Sequence, residues 1–170
     1  MRDEADDYVV ELGLPLTAHR LRRASELLVD AYGRWLAEVG PDVPPRALST
    51  MMLLDETGPQ GVTQIARRLR FTHPLMIELT RALEAKGFVS ARTDPADARR
   101  RLLELTPSGR AAAGQIRERL QTLEAFYKSL FDEIGVDLLD AVERLETAAR
   151  KRPLIERIEE AQNRSRAPAR

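Results

Sequence analysis

Seven apolar residues, Ala113, Ile116, Leu120, Leu123, Tyr127, Leu130 and Ile134, recur in alternating steps of three and four. That three-heptad seam is the pattern of one long helix packed lengthwise on other helices. Thr106-Pro107 opens the run with a hydroxyl at the N-cap and proline at the first helical position. Gly135 breaks it.

The rest of the chain is mainly helical by the same criterion. Leu21, Ala24, Leu28, Ala31, Trp35 and Val39 step by three and four behind Thr17, a candidate N-cap, and Gly40-Pro41 closes that long helix. "PPRALSTMMLLDETGP" reads as a shorter helix opened by proline and stopped at Gly58-Pro59. Thr63 is expected to cap the short helix "TQIARRLRF". Thr72 is expected to cap another, running to Lys86, with Pro74 in its first turn and Gly87 as its stop. Met76, Leu79 and Leu83 give this last helix an apolar stripe, so the pair reads as a helix-turn-helix. Beyond the seam, Asp137 is expected to cap "LLDAVERLETAARKR", which stops at Pro153. "LIERIEEAQNR" then runs into a tail, "SRAPAR", expected to fray.

Between the helix-turn-helix and the seam the period changes. "FVSAR" (Phe88 to Arg92) and "RRLLEL" (Arg100 to Leu105) are short enough for strands, and Leu103 and Leu105 can share one face. The stretch Thr93 to Arg99 between them predicts a projecting loop longer than most hairpins use. A two-stranded hairpin directly after a helix-turn-helix is a wing.

Charge concentrates in the same region. Residues 62–110 carry ten basic and five acidic side chains in a chain of formal net charge zero, which leaves −5 for the rest. A basic region inside a neutral chain suggests a surface that faces a polyanion. Composition excludes several other classes. With 43% hydrophobic and 32% charged residues the chain is not compositionally disordered. No apolar run approaches the roughly 18 residues of a membrane span, and the acidic start "MRDEADDYVV" does not read as a secretory signal, so the expected compartment is the cytoplasm. The chain has no cysteine and two histidines, His19 and His73, which disfavours thiol chemistry and metal sites. It has no phosphate-cradling glycine loop either, so neither an enzyme nor a cofactor is expected.

Asp97-x-Arg99, followed at fixed distance by Leu105-Thr106-Pro107-Ser108-Gly109, resembles the wing motif of the multiple antibiotic resistance regulator (MarR) family of winged-helix transcription factors. Ile65-Ala66 and "LEAKGFV" (Leu83 to Val89) are similar to further family positions, and order and spacing agree from about Pro45 to Arg110. The resemblance implies a winged helix-turn-helix with long dimerisation helices. Its divisions would be a first dimerisation segment at 1–44, a DNA-binding domain at 45–106 and dimerisation helices at 107–170. It implies a homodimer on double-stranded DNA, with the helix from Thr72 in the major groove and the wing in the adjacent minor groove. On this pattern Arg99 enters the minor groove, Asp97 holds it in position, and Arg100 and Arg101 neutralise phosphates. Thr72, His73, Pro74, Leu75, Ile77, Glu78 and Arg81 would face the major groove, and Arg67 or Arg68 the backbone.

The sequence departs from the family in the groove-facing helix. Pro74, Leu75, Ile77 and Glu78 stand where members often carry serine, threonine and arginine. Apolar groups contact thymine methyls and a glutamate accepts from cytosine N4, so the helix can still read bases. The same departure admits another reading, a winged-helix dimer that docks a protein and has lost DNA binding. The resemblance also suggests a small aromatic or anionic effector, with His19, Tyr32, Trp35, Met51 and Met52 as candidate contacts.

Overall fold

The computed structural model describes residues 7–166. The acidic lead at residues 1–6 and the last four residues of the expected frayed tail lie outside them. The chain divides into two compact units, residues 1–119 and residues 120–170.

The first unit begins with a short helix, α1 (Tyr8–Leu12), which the sequence did not announce; Asp7 caps it by accepting from the Val9 amide at 3.0 Å. A 3-10 turn at Leu14–Leu16 leads into α2 (Thr17–Val39). Thr17 does not cap α2. Its hydroxyl donates to the Leu14 carbonyl at 2.7 Å, because it already lies inside the first helical turn. A second 3-10 turn, Pro45–Ala47, opens α3 (Leu48–Thr57).

A two-residue strand, β1 (Gln60–Gly61), precedes α4 (Val62–Leu69). Gly61, not Thr63, is the N-cap, and Gln64 Oε1 reaches back to accept from the Gly61 amide at 3.0 Å. Helix α4 ends on Arg70 in the left-handed conformation (φ 56°), which turns the chain toward α5 (His73–Ala85). Here the expected cap forms: Thr72 Oγ1 accepts from the Leu75 amide at 3.4 Å. Gly87 follows with φ 71°, a left-handed turn that a side chain would resist.

The hairpin consists of β2 (Val89–Asp94) and β3 (Asp97–Leu105), paired antiparallel in one register from Val89↔Leu105 to Thr93↔Arg101; the register then shifts, so that Asp94 pairs with Asp97 and residues 98–100 have no partner on β2. Both strands run further than expected, and the predicted long loop shrinks to Pro95-Ala96. Asp94 explains the shortening, since its carboxylate accepts from the Ala96 amide at 2.9 Å and closes the turn locally. The sheet also has a third strand, because β1 pairs with β3 through Gln60↔Leu103 and Gly61↔Leu102. The wing is therefore stitched to the residue that caps α4.

Leu36, Met51, Leu54, Ile65, Met76, Leu83, Leu103 and Ile116 are buried together in one core, so α2, α3, α4, α5, the hairpin base and the start of α6 (Pro107–Ile134) share it. Fully burying a side chain of this size contributes about 1.5–3 kcal/mol. Thr106 fixes the junction between hairpin and α6. Its hydroxyl donates to the Gly87 carbonyl at 2.7 Å and accepts from the Gly109 amide at 3.0 Å. A Cβ on Gly109 would lie 1.9 Å from the Phe88 carbonyl oxygen, so the close approach of α6 to the hairpin needs glycine there.

The second unit holds the remainder of α6, α7 (Leu138–Lys151) and α8 (Leu154–Arg166). Asp137 caps α7 as expected, accepting from the Asp140 amide at 3.0 Å. Tyr127 lies between Phe126 and Phe131, with ring centroids 5.1 and 5.9 Å away. Arg157 donates to the Ala148 carbonyl at 3.0 Å, and Arg152 pairs with Glu160, so α8 is tied back to the end of α7.

Candidate nucleic-acid interface

The wing presents its charges unequally. Arg100 lies 3.8 Å from the Asp94 carboxylate, and Arg101 donates to the Ala91 carbonyl at 3.0 Å. Arg92 is joined to Glu104 at 2.8 Å across the two strands. Arg99 alone among the three consecutive arginines has a guanidinium with no hydrogen bond or ion pair to the described residues. It is exposed, three positions past the two-residue turn.

Asp97 acts on Arg99 through the backbone. Its Oδ1 accepts from the Arg99 amide at 3.0 Å, which fixes the local chain path rather than the guanidinium. The expectation that Asp97 positions the arginine thus takes a different physical form from a side-chain pair. Asp94 organises the turn itself and lies against Arg100. The Asp-Pro dipeptide was the available signal for that role.

Helix α5 supplies the second surface. Its inward line is Met76, Leu79, Thr80 and Leu83, all buried. His73, Pro74, Glu78 and Arg81 are exposed, Thr72 is exposed at the cap, and Ile77 is half-buried. Leu75 packs partly against the core, so only its edge is available. Arg67 and Arg68 are exposed in the last turn of α4. The first unit thus carries an exposed helix face, basic residues on the helix before it, and a hairpin tipped by an uncommitted arginine. A basic hairpin tip and a solvent-facing helix in one unit can neutralise phosphates and present donors and acceptors to base edges.

The candidate effector residues do not converge in the same way. Tyr32 and Trp35 contact each other, with ring centroids 6.1 Å apart. Tyr32 and Met52 pack partly buried against the core, whereas Met51 is wholly inside it. His19 is exposed sixteen positions before Trp35 on α2, about 24 Å along a helix of 1.5 Å rise. An open groove in this unit lies elsewhere, lined by Val29, Gly33, Arg34, Val43 and Pro45. Among the described residues no group of three or more acidic or histidine side chains could hold a metal ion, and no helix is long and apolar enough to cross a membrane.

Residues 43–100 match the MarR family. No curated protein matches the chain. Among solved structures, the transcriptional repressor CouR bound to a 23-mer DNA duplex is 28% identical, with a TM-score of 0.60 over 79% of this chain and 93% of that one. Two more distant structures share the fold. The S. aureus MepR–DNA complex is 21% identical with a TM-score of 0.63, covering 78% of this chain and 97% of that one. The regulator BldR from Sulfolobus solfataricus is 22% identical with a TM-score of 0.58, covering 84% and 96%.

Proposed function

We propose, from the match of residues 43–100 to the MarR family, that this chain is a homodimeric repressor of that family that binds a pseudo-palindromic operator in double-stranded DNA. Members of the family are DNA-binding transcription regulators, not enzymes. The observation that carries the reading is that an uncommitted Arg99 guanidinium on the hairpin and the solvent-facing side of α5 belong to one compact unit. Arg99 enters the minor groove, where negative potential is concentrated, while α5 lies in the adjacent major groove. Arg100, Arg101, Arg67 and Arg68 meet phosphates. The CouR complex with a duplex supports DNA as the partner.

The dimer rests on where apolar surface is left uncovered. Among the described residues, every exposed large apolar side chain lies before residue 40 or after residue 119, on the elements assigned to dimerisation. Leu27 is 67% exposed and Leu139 69%, and they recur with further exposed apolar side chains on the same helices, the accumulation of apolar surface that an interface covers. A second copy covers both sets and sets the spacing of two half-sites at about one helical turn, 10–10.5 base pairs. Residues 45–106 serve as the DNA-binding domain, and the segments on either side serve association. A small aromatic effector meets Tyr32, Trp35 and Met52, which keep accessible surface, and releases the protein from cytoplasmic DNA. Met51 belongs to the core, and His19 is too far along α2 to join them.

Selection of bound sequences from random duplexes by the purified protein tests the whole reading. A pseudo-palindrome whose affinity falls steeply with salt is the expected result. Failure to retain any duplex in dilute buffer would overturn it in favour of a protein-docking dimer.

A further inference from the structure

Resting on the DNA-binding reading above, we infer that Glu78 and Arg81 make each half-site contain a C·G pair next to a G·C pair. Glu78 accepts from cytosine N4, and Arg81 donates to guanine O6 and N7.

The placement of α5 leads to this assignment. Met76, Leu79, Thr80 and Leu83 are buried, and at about 100° per residue the direction opposite them passes through Pro74, Glu78, Arg81 and Ala85. All four are exposed. Glu78 and Arg81 are thus central on the outward face. They lie three residues apart, about 4.5 Å along the axis, close to the roughly 3.4 Å rise between base pairs. No hydrogen bond or ion pair engages either side chain among the described residues, so both are available to a ligand.

A carboxylate aimed at DNA is a chemical constraint. Phosphates repel it, so it is tolerated only where it finds a donor on a base edge. In the major groove those donors are cytosine N4 and adenine N6. Adenine sets its N7 acceptor beside N6, against the second carboxylate oxygen, whereas cytosine offers no adjacent acceptor. Cytosine is therefore selected. Arg81 has five donors and no acceptor, which matches the two acceptors of guanine and no other base. The apolar edges of Pro74 and Ile77 flank this pair and suit thymine methyls. Glu78 therefore acts chiefly by rejecting other sequences, raising specificity while lowering general affinity.

The test uses the full-length protein on its selected operator, with every base pair replaced in turn. Wild type should lose about tenfold or more when the predicted C·G pair is changed. Glu78→Ala should flatten that preference to about twofold, tighten binding to unrelated DNA, and leave other positions unchanged. Arg81→Ala should relax the neighbouring guanine in the same manner. The unchanged positions report that each variant is folded and docked. A Glu78→Ala profile identical to wild type, or an operator with no symmetrical cytosine, would overturn the assignment while leaving DNA binding intact. Wild type that binds no duplex at all would instead sink the reading on which it rests.

Discussion

Asp97 Oδ1 accepts a hydrogen bond from the Arg99 backbone amide at 3.0 Å, so the acid shapes the chain beneath the arginine and leaves the guanidinium free. If that hydrogen bond is what the position supplies, a local acceptor rather than a negative charge should govern binding. Asp97→Asn keeps the acceptor and should bind operator within about threefold of wild type, since a neutral hydrogen bond is only modestly weaker than a charged one. Asp97→Ala should bind roughly tenfold more weakly as the chain loosens. Titration of one duplex at fixed salt distinguishes them, and equal losses in both variants would show that the charge itself matters.

Arg99→Ala should cost more than either neighbour. Arg100 and Arg101 are partly spent on Asp94 and the Ala91 carbonyl, whereas Arg99 has nothing to give up on binding. The expected loss is about ten- to a hundredfold for Arg99→Ala and a few-fold for Arg100→Ala or Arg101→Ala. Mobility shifts across a salt series measure it. Equal effects at all three positions would contradict the inequality.

Two glycines in α6 should respond in opposite directions to alanine. At Gly109 the new Cβ meets the Phe88 carbonyl, and Gly109→Ala should destabilise by about 3 kcal/mol or more. Gly114 has no atom within 4 Å of a built Cβ, so Gly114→Ala should stabilise by about 0.5–1 kcal/mol through helix propensity. Urea unfolding of the two variants against wild type reads both signs.

The proposed dimer can be tested without touching the core. Leu27→Lys and Leu139→Lys alter side chains already exposed within their own units. Each should shift sedimentation from dimer toward monomer at micromolar concentration while the winged unit keeps its helical circular dichroism. Wild type that sediments as a monomer would remove the premise.

Much of this architecture was legible because helices advertise themselves twice, by apolar period and by their caps. Thr72, Thr106 and Asp137 each accept the amide their positions implied. Thr17 and Thr63 misled because a hydroxyl one or two residues inside a helix looks the same in sequence as one at its cap. Gly61 has no side chain to announce capping, and Gln64 does that work from three residues away. Strand β1 spans two residues, too few to show any alternation. The outer part of the hairpin was hidden for a related reason. From Asp97 to Arg101 every side chain faces solvent, so no apolar rhythm marks the strand. The candidate site was legible as a motif, but the motif could not say which arginine is free. That depends on Asp94 and Ala91 claiming the other two.

The two-residue tip also governs how such a finger can change length. Its regular ladder ends at Thr93↔Arg101 and the register shifts before Asp94↔Asp97, so residues 98–100 lie where the two-residue alternation is already interrupted. Residues added or lost there leave the faces of the stem from Val89 to Thr93 unchanged, whereas a slip within the stem would turn its side chains over. A finger of this build keeps a fixed stem while its tip can be lengthened or trimmed.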